Sequence, residues 1–96
     1  MKFAFMIMGE RFDKTAFEYC EQADLRVVSV PDIESARVAA AQLKDEGIDV
    51  IELCGAFGLD GATAVKEATG GTVGVSYTVH HPELGPLFGK LFGPRA

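Results

Sequence analysis

Apolar residues in this chain come in two rhythms. Phe3-Ala4-Phe5-Met6-Ile7-Met8 is an unbroken apolar run closed by Gly9. With no polar residue to turn outward, it reads as a strand covered on both faces, as in a parallel sheet. Leu25–Val30 is a weaker version, interrupted by Arg26 and Ser29 and closed by Pro31, which suits a strand near an edge. Val50–Cys54 is a third run, ended by Gly55. Thr72–Val79 is the fourth, β-branched and aromatic but weakened by Gly74. The stretch from Ala68 to Pro82 holds no charged side chain, and this predicts a central, buried strand.

Between these runs the period lengthens. Ile33, Ala36, Ala40 and Leu43 mark one face of a helix that Asp32 caps and that runs to about Glu46. Gly47 is its expected stop, and Lys44 suits the negative end of the helix dipole. The run Ala39-Ala40-Ala41 allows close approach to whatever the helix covers. A shorter helix, capped by Asp60, reaches Ala68 before Gly70-Gly71. Asp13–Ala23 places Ala16, Phe17, Cys20 and Ala23 on one side and predicts a further helix. In the tail, Leu84, Leu87, Phe88, Leu91 and Phe92 recur at helical spacing. Gly85, Pro86, Gly89 and Gly93 oppose that helix, each Gly costing about 1 kcal/mol relative to Ala, so the stripe forms only by docking. Strands alternating with helices predict one α/β domain over residues 1–96, a mainly parallel four-stranded sheet built from βαβ units, with 83–96 as an apolar helical tail. A ferredoxin-like α+β sheet is the alternative that four strands permit.

Composition narrows the classes. The chain has 96 residues, 48% of them apolar, enough for one small core. Nine basic against fourteen acidic residues give a net charge of −5, which speaks against nucleic acid or an anionic membrane as partner. Lys90 and Arg95, the basic residues of the tail, are too sparse for a nucleic-acid stripe. Two cysteines are too few for a disulfide framework and match no zinc or redox spacing. The opening apolar run is too short for a signal peptide, and no run approaches a membrane span, so the expected location is cytoplasmic.

Ligands of open parallel sheets bind beyond the carboxyl ends of the strands. In this chain that edge receives Gly9-Glu10-Arg11, then Glu52 to Gly58, then Thr78-Val79-His80-His81. Glu52, a carboxylate inside an apolar strand, is a candidate base or metal ligand, although a structural hydrogen-bond partner is the favoured reading. Cys54 is a candidate nucleophile, activated by a helix start or by His80; packing as a small hydrophobe is the favoured alternative. Gly55, Gly58 and Gly61 precede or open a helix and can bring backbone N–H groups to an anion, with His81 as a further ligand contact. They match neither the dinucleotide fingerprint nor a P-loop, and a tight turn explains them as well. One histidine with Glu52 and Cys54 would make three mixed zinc ligands, but no recognised ligand spacing is present, and neither a metal nor a cofactor is expected.

The opening Lys2-Phe3-Ala4-Phe5, the block Ile51-Glu52-Leu53-Cys54-Gly55-Ala56-Phe57-Gly58, the run Gly74-Val75-Ser76-Tyr77-Thr78-Val79-His80 and the Leu87-Phe88…Leu91-Phe92 tail resemble a family of small uncharacterised bacterial proteins, a domain of unknown function. The resemblance covers nearly the whole chain and is less clear from Glu10 to Asp24. It implies an α/β fold and supplies no activity. Three functions follow in order of preference. The first is a binding or regulatory module holding a small metabolite or anion at the Gly55–Gly61 turn. The second is a small enzyme using Cys54, Glu52 and His80. The third is a structural subunit, most simply a homodimer, assembled through the Phe-rich tail.

Overall fold

The apolar amino-terminal run occupies the centre of the sheet in the computed structural model, which describes residues 1–93. In chain order the elements are β1 (Phe3–Met8), β2 (Ala16–Cys20), β3 (Leu25–Val30), α1 (Ile33–Asp45), β4 (Val50–Leu53), α2 (Gly58–Ala68), β5 (Gly74–Tyr77) and α3 (Gly85–Phe92), with short 3-10 turns at Glu21–Ala23 and Pro82–Leu84. Arg95 and the end of the 83–96 tail lie outside the described residues. The five strands follow the order β2-β3-β1-β4-β5. β1 pairs in parallel with β3 and β4, and β4 with β5, while β2 runs antiparallel along β3. The chain is therefore a mostly parallel α/β domain, and the ferredoxin-like alternative does not hold.

Three expectations about the elements need correction. Asp13–Ala23 holds no α-helix: residues 16–20 form β2, so the sheet has five strands rather than four. The same residues fit a period of two, with Phe17 and Tyr19 on one face and Glu18 on the other. The free backbone edge of β3 then supplies the hydrogen bonds that a short helix would have had to make internally. That edge strand also moves β3 one place inward. β5 is shorter than the expected 72–79 and forms the opposite edge, with Gly74, Ser76 and Tyr77 exposed. Small and hydroxylic residues make an uncharged strand without making it a core strand. Finally, α2 begins at Gly58, so Asp60 lies in its first turn and does not cap it.

α1 follows its sequence signals closely. The Asp32 carboxylate accepts the Ser35 N–H at 2.8 Å, and Gly47, at φ 85°, ends the helix. There the Ile48 N–H donates to Leu43 O at 3.0 Å and the Gly47 N–H to Lys44 O at 2.9 Å, the paired bonds of a Schellman motif. α1 and α2 pack against each other and on one side of the sheet. Ala4, Met6, Val28, Val30, Ile51 and Leu53 are buried beneath them, together with Ala36, Ala40, Leu43 and Val65 from the helices. Handedness explains the one-sidedness. The β3-α1-β4 and β4-α2-β5 crossovers progress in the same direction across the sheet, so right-handed connections put both helices on one face. The β1-to-β3 connection progresses the other way and would have carried a helix on the opposite face, but β2 takes its place.

At the amino edge, Arg26 ties three elements together. Its guanidinium meets Asp24 at 2.7 Å and Glu46 at 3.5 Å, and sits 4.9 Å above the Tyr19 ring. The Arg26 hydrogen bond, with a further one from the Tyr19 hydroxyl, holds the Asp24 carboxyl below its ordinary range; the Ser35 N–H does the same for Asp32. Carboxyls depressed on folding stabilise the native state above their unfolded pKa of about 4, and that stability is lost as pH falls through the lower folded values. The urea midpoint is therefore expected to fall on acidification from pH 5 to pH 2. Asp24→Asn is expected to shallow that fall, since Asn tolerates the φ of 48° at this position and removes only the charge. An unchanged acid slope in the variant rules out Asp24 as a source.

Candidate functional site

The carboxyl end of β4 delivers Leu53 and Cys54 into a turn that leads directly to α2. The Cys54 N–H continues the sheet by donating to Met6 O at 3.0 Å, and the Phe57 N–H closes the turn on Cys54 O at 3.1 Å. Gly58 then adopts φ 60°, a left-handed conformation that costs a residue with a Cβ about 1–2 kcal/mol. Beyond β5 the chain stays extended, with the Thr78 N–H bonded to Leu53 O at 2.9 Å, and carries Val79 and His80 past the end of β4. The 3-10 turn at Pro82–Leu84 reverses it into α3. Phe88 of α3 stacks on the His80 ring, centroids 4.7 Å apart and planes 14° from parallel, and Phe92 continues the stack at 5.9 Å.

These segments enclose a cleft of about 590 Å³ at the carboxyl edge of the sheet. Cys54, Gly55, Ala56 and Gly58 form one wall, Tyr77, Thr78, Val79 and His80 another, and Phe88 with Phe92 the cover. The volume lies within the range of about 300–1,000 Å³ that small-molecule sites occupy. Among the described residues, neither a carboxylate nor a lysine or arginine lines the cleft. His80, Cys54 and Tyr77 are its titratable groups. α2 starts at this wall with no side-chain cap, leaving the amides of its first turn without an intrahelical acceptor.

The candidate residues divide between this cleft and other duties. Cys54, Gly55, Gly58 and His80 come together in it. The Cys54 sulfur is also tied to β1: Sγ accepts the Met8 N–H at 3.4 Å and lies 4.0 Å from Met8 O. Glu52 stands elsewhere. It alternates with Ile51 and Leu53, which face the helices, so its half-buried side chain belongs to the opposite face, in register with Phe5 and Ser76. Gly61 is buried inside α2, where a Cβ would come within 2.9 Å of the Phe57 Cβ and 3.3 Å of Ile33 Cδ1. His81 is exposed, and its Nδ1 accepts the Glu83 N–H at 3.1 Å to start the 3-10 turn. Among the described residues, no group of three His, Cys, Asp or Glu could hold a metal ion.

Tyr77, Phe88 and Phe92 are the cleft residues that sequence reasoning did not place at the ligand edge. Phe88 and Phe92, four residues apart, share a helix face. Their aromatic character beside a nearby histidine was the available signal. The model of a family of unknown function, DUF6506, matches residues 1–93 of the chain. No curated protein and no solved structure matches it.

Proposed function

The chain belongs to that family of unknown function, and we propose that it is a small-molecule-binding module whose ligand occupies the cleft between the Cys54–Gly58 turn and the His80–Phe88–Phe92 stack. The observation that carries this reading is the cleft itself, a pocket of ligand size at the carboxyl edge of a parallel sheet, where such folds bind ligands. Its chemistry describes the occupant. Aromatic and aliphatic side chains without a charged group favour a flat, mostly apolar molecule, and burial of its rings supplies the binding energy. The uncapped start of α2 favours an acceptor at one end of that molecule, a carboxylate, sulfonate or carbonyl oxygen. His80, held by its stack on Phe88, offers a ring face and a nitrogen able to donate or accept a hydrogen bond.

Among the described residues, no helix is long and apolar enough to cross a membrane. The proposal sets the module in a bacterial cytoplasm, where Cys20 and Cys54 persist as free thiols.

The test uses 8-anilinonaphthalene-1-sulfonate, a sulfonate carried on a flat naphthalene ring, with Cys54 as the local reporter in a Cys20→Ser background. Saturable dye binding at one site per chain is expected to slow labelling of Cys54 by a disulfide reagent. Ala56→Trp, which fills the cleft from its exposed wall, is expected to abolish both effects. Cys54 labelling that is indifferent to saturating dye, or dye binding that survives Ala56→Trp, overturns the reading.

A further inference from the structure

We infer that the helix-free face of the sheet is an interface with a second copy of this chain, and that the outer stripe of α3 from each copy docks on the other's sheet. The face is defined by register: Phe3, Phe5 and Ile7 of β1, Leu25 and Val27 of β3, and Val50 of β4 all alternate with residues buried under α1 and α2. Parallel sheets are stable with both faces covered, and among the described residues α1 and α2 cover this one on a single face. Ile7 is 36% exposed, and its apolar neighbours on that face are half-buried. The second unpartnered surface is on α3. Phe88 turns inward to His80, which leaves Leu87 and Leu91, with Leu84 of the preceding turn, facing out at 48%, 63% and 45% exposure.

Area, shape and charge identify the occupant. A self-sufficient monomer of 10.3 kDa exposes about 5,400 Å², whereas this chain exposes 6360 Å². The excess is on the order of the 800 Å² that each partner buries in a standard interface. The radius of gyration, 13.6 Å, also exceeds the value of about 12.5 Å for a compact domain of this length. The two surfaces match in size: eight helical residues span about 12 Å, and the three central strands β3-β1-β4 span about 10 Å from axis to axis. They match in charge as well. Glu52 is the charged residue among the outward positions of β1, β3 and β4, and Lys90 is the charged residue of α3. Lys90 lies three residues after Leu87, on the outward side of the helix, so the ammonium arrives with the leucine stripe. A twofold axis makes the exchange reciprocal, each α3 covering the other sheet while its inner face still closes its own cleft.

Sedimentation analysis of the full chain across micromolar to hundred-micromolar concentrations tests this. A dimer is expected, and Leu91→Glu, a change at an exposed helix position, is expected to yield a monomer with an unchanged far-UV spectrum. Glu52→Lys and Lys90→Glu are each expected to weaken the dimer by about tenfold, with the double exchange recovering most of that loss. An intact chain that stays monomeric over the whole range overturns the inference. So does a dimer indifferent to both Leu91→Glu and Val27→Glu, or a double exchange no tighter than the weaker single variant.

Discussion

Leu53→Ala is expected to lower the unfolding free energy by about 2–5 kcal/mol, the range for deleting a fully buried leucine and leaving a cavity. Leu53 is the last residue of β4, with no exposed surface, in register with Met6 on one side and Tyr77 on the other. Its site is closed above by α1 and α2 and cannot fill from solvent, so the upper half of the range is the expectation. Small domains are stable by about 5–15 kcal/mol in total, so the loss removes a large fraction of the stability and lowers the urea midpoint in proportion. The effect reaches the cleft too, because the Leu53 carbonyl holds the Thr78 N–H at 2.9 Å and Cys54 follows directly. Equilibrium urea unfolding measures it. A loss below about 1 kcal/mol would mean that the core collapses around the deletion, contrary to the packing described. Val38→Ala on the exposed side of α1 is the control, expected within about 0.5 kcal/mol of the parent.

Gly61→Ala and Gly89→Ala should shift stability in opposite directions although both put alanine for glycine inside a helix. Helix propensity alone favours alanine by about 1 kcal/mol at each. At Gly89 nothing lies within 4 Å of the added methyl, and that gain is expected to appear as a higher Tm. At Gly61 the methyl meets the Phe57 Cβ at 2.9 Å and Phe57 Cδ2 at 3.1 Å. Neither atom is the free end of a flexible chain, because Phe57 is buried and its carbonyl accepts the Gly61 N–H at 3.0 Å. Overpacking of this kind costs about 1–3 kcal/mol, which outweighs the propensity gain. A lower Tm for Gly61→Ala beside a higher one for Gly89→Ala is the expected pair. Equal shifts of the same sign would show that Phe57 moves aside without cost. Because Phe57 precedes Gly58 at the cleft wall, Gly61 serves the site through packing and not through an amide presented to a ligand.

The glycines of this turn were legible as a group and not individually. Spacing marked Gly55, Gly58 and Gly61 alike. The structure gives Gly58 a left-handed backbone at the cleft and Gly61 a close helix contact away from it. Cys54 and His80 were legible as neighbours because each follows the end of a parallel strand, and β4 and β5 are adjacent. Glu52 was not, since strand-end position says nothing about which face a side chain takes until a register is set.

Local signals in the chain determined β1, β3, β4 and α1. An unbroken apolar run needs two covered faces, and a 3.6-residue stripe with Asp32 before it and Gly47 after it admits one conformation. They also determined that the sheet would be mostly parallel, because each strand-to-strand connection around α1 and α2 has room for a helix. Tertiary structure alone decided residues 13–23. Ala16, Phe17, Cys20 and Ala23 fit a helical stripe as well as Phe17 and Tyr19 fit an alternating one, and the free edge of β3 settled the matter by satisfying backbone groups. That choice had a distant consequence. A helix there would have crossed to the other side of the sheet, and the strand that formed instead leaves Phe3, Phe5 and Val27 half-buried, with no helix from residues 13–23 over them. The docking of α3 was likewise beyond the sequence: its apolar stripe is wide enough to serve two surfaces, and only the stack of Phe88 on His80 shows which side turns inward.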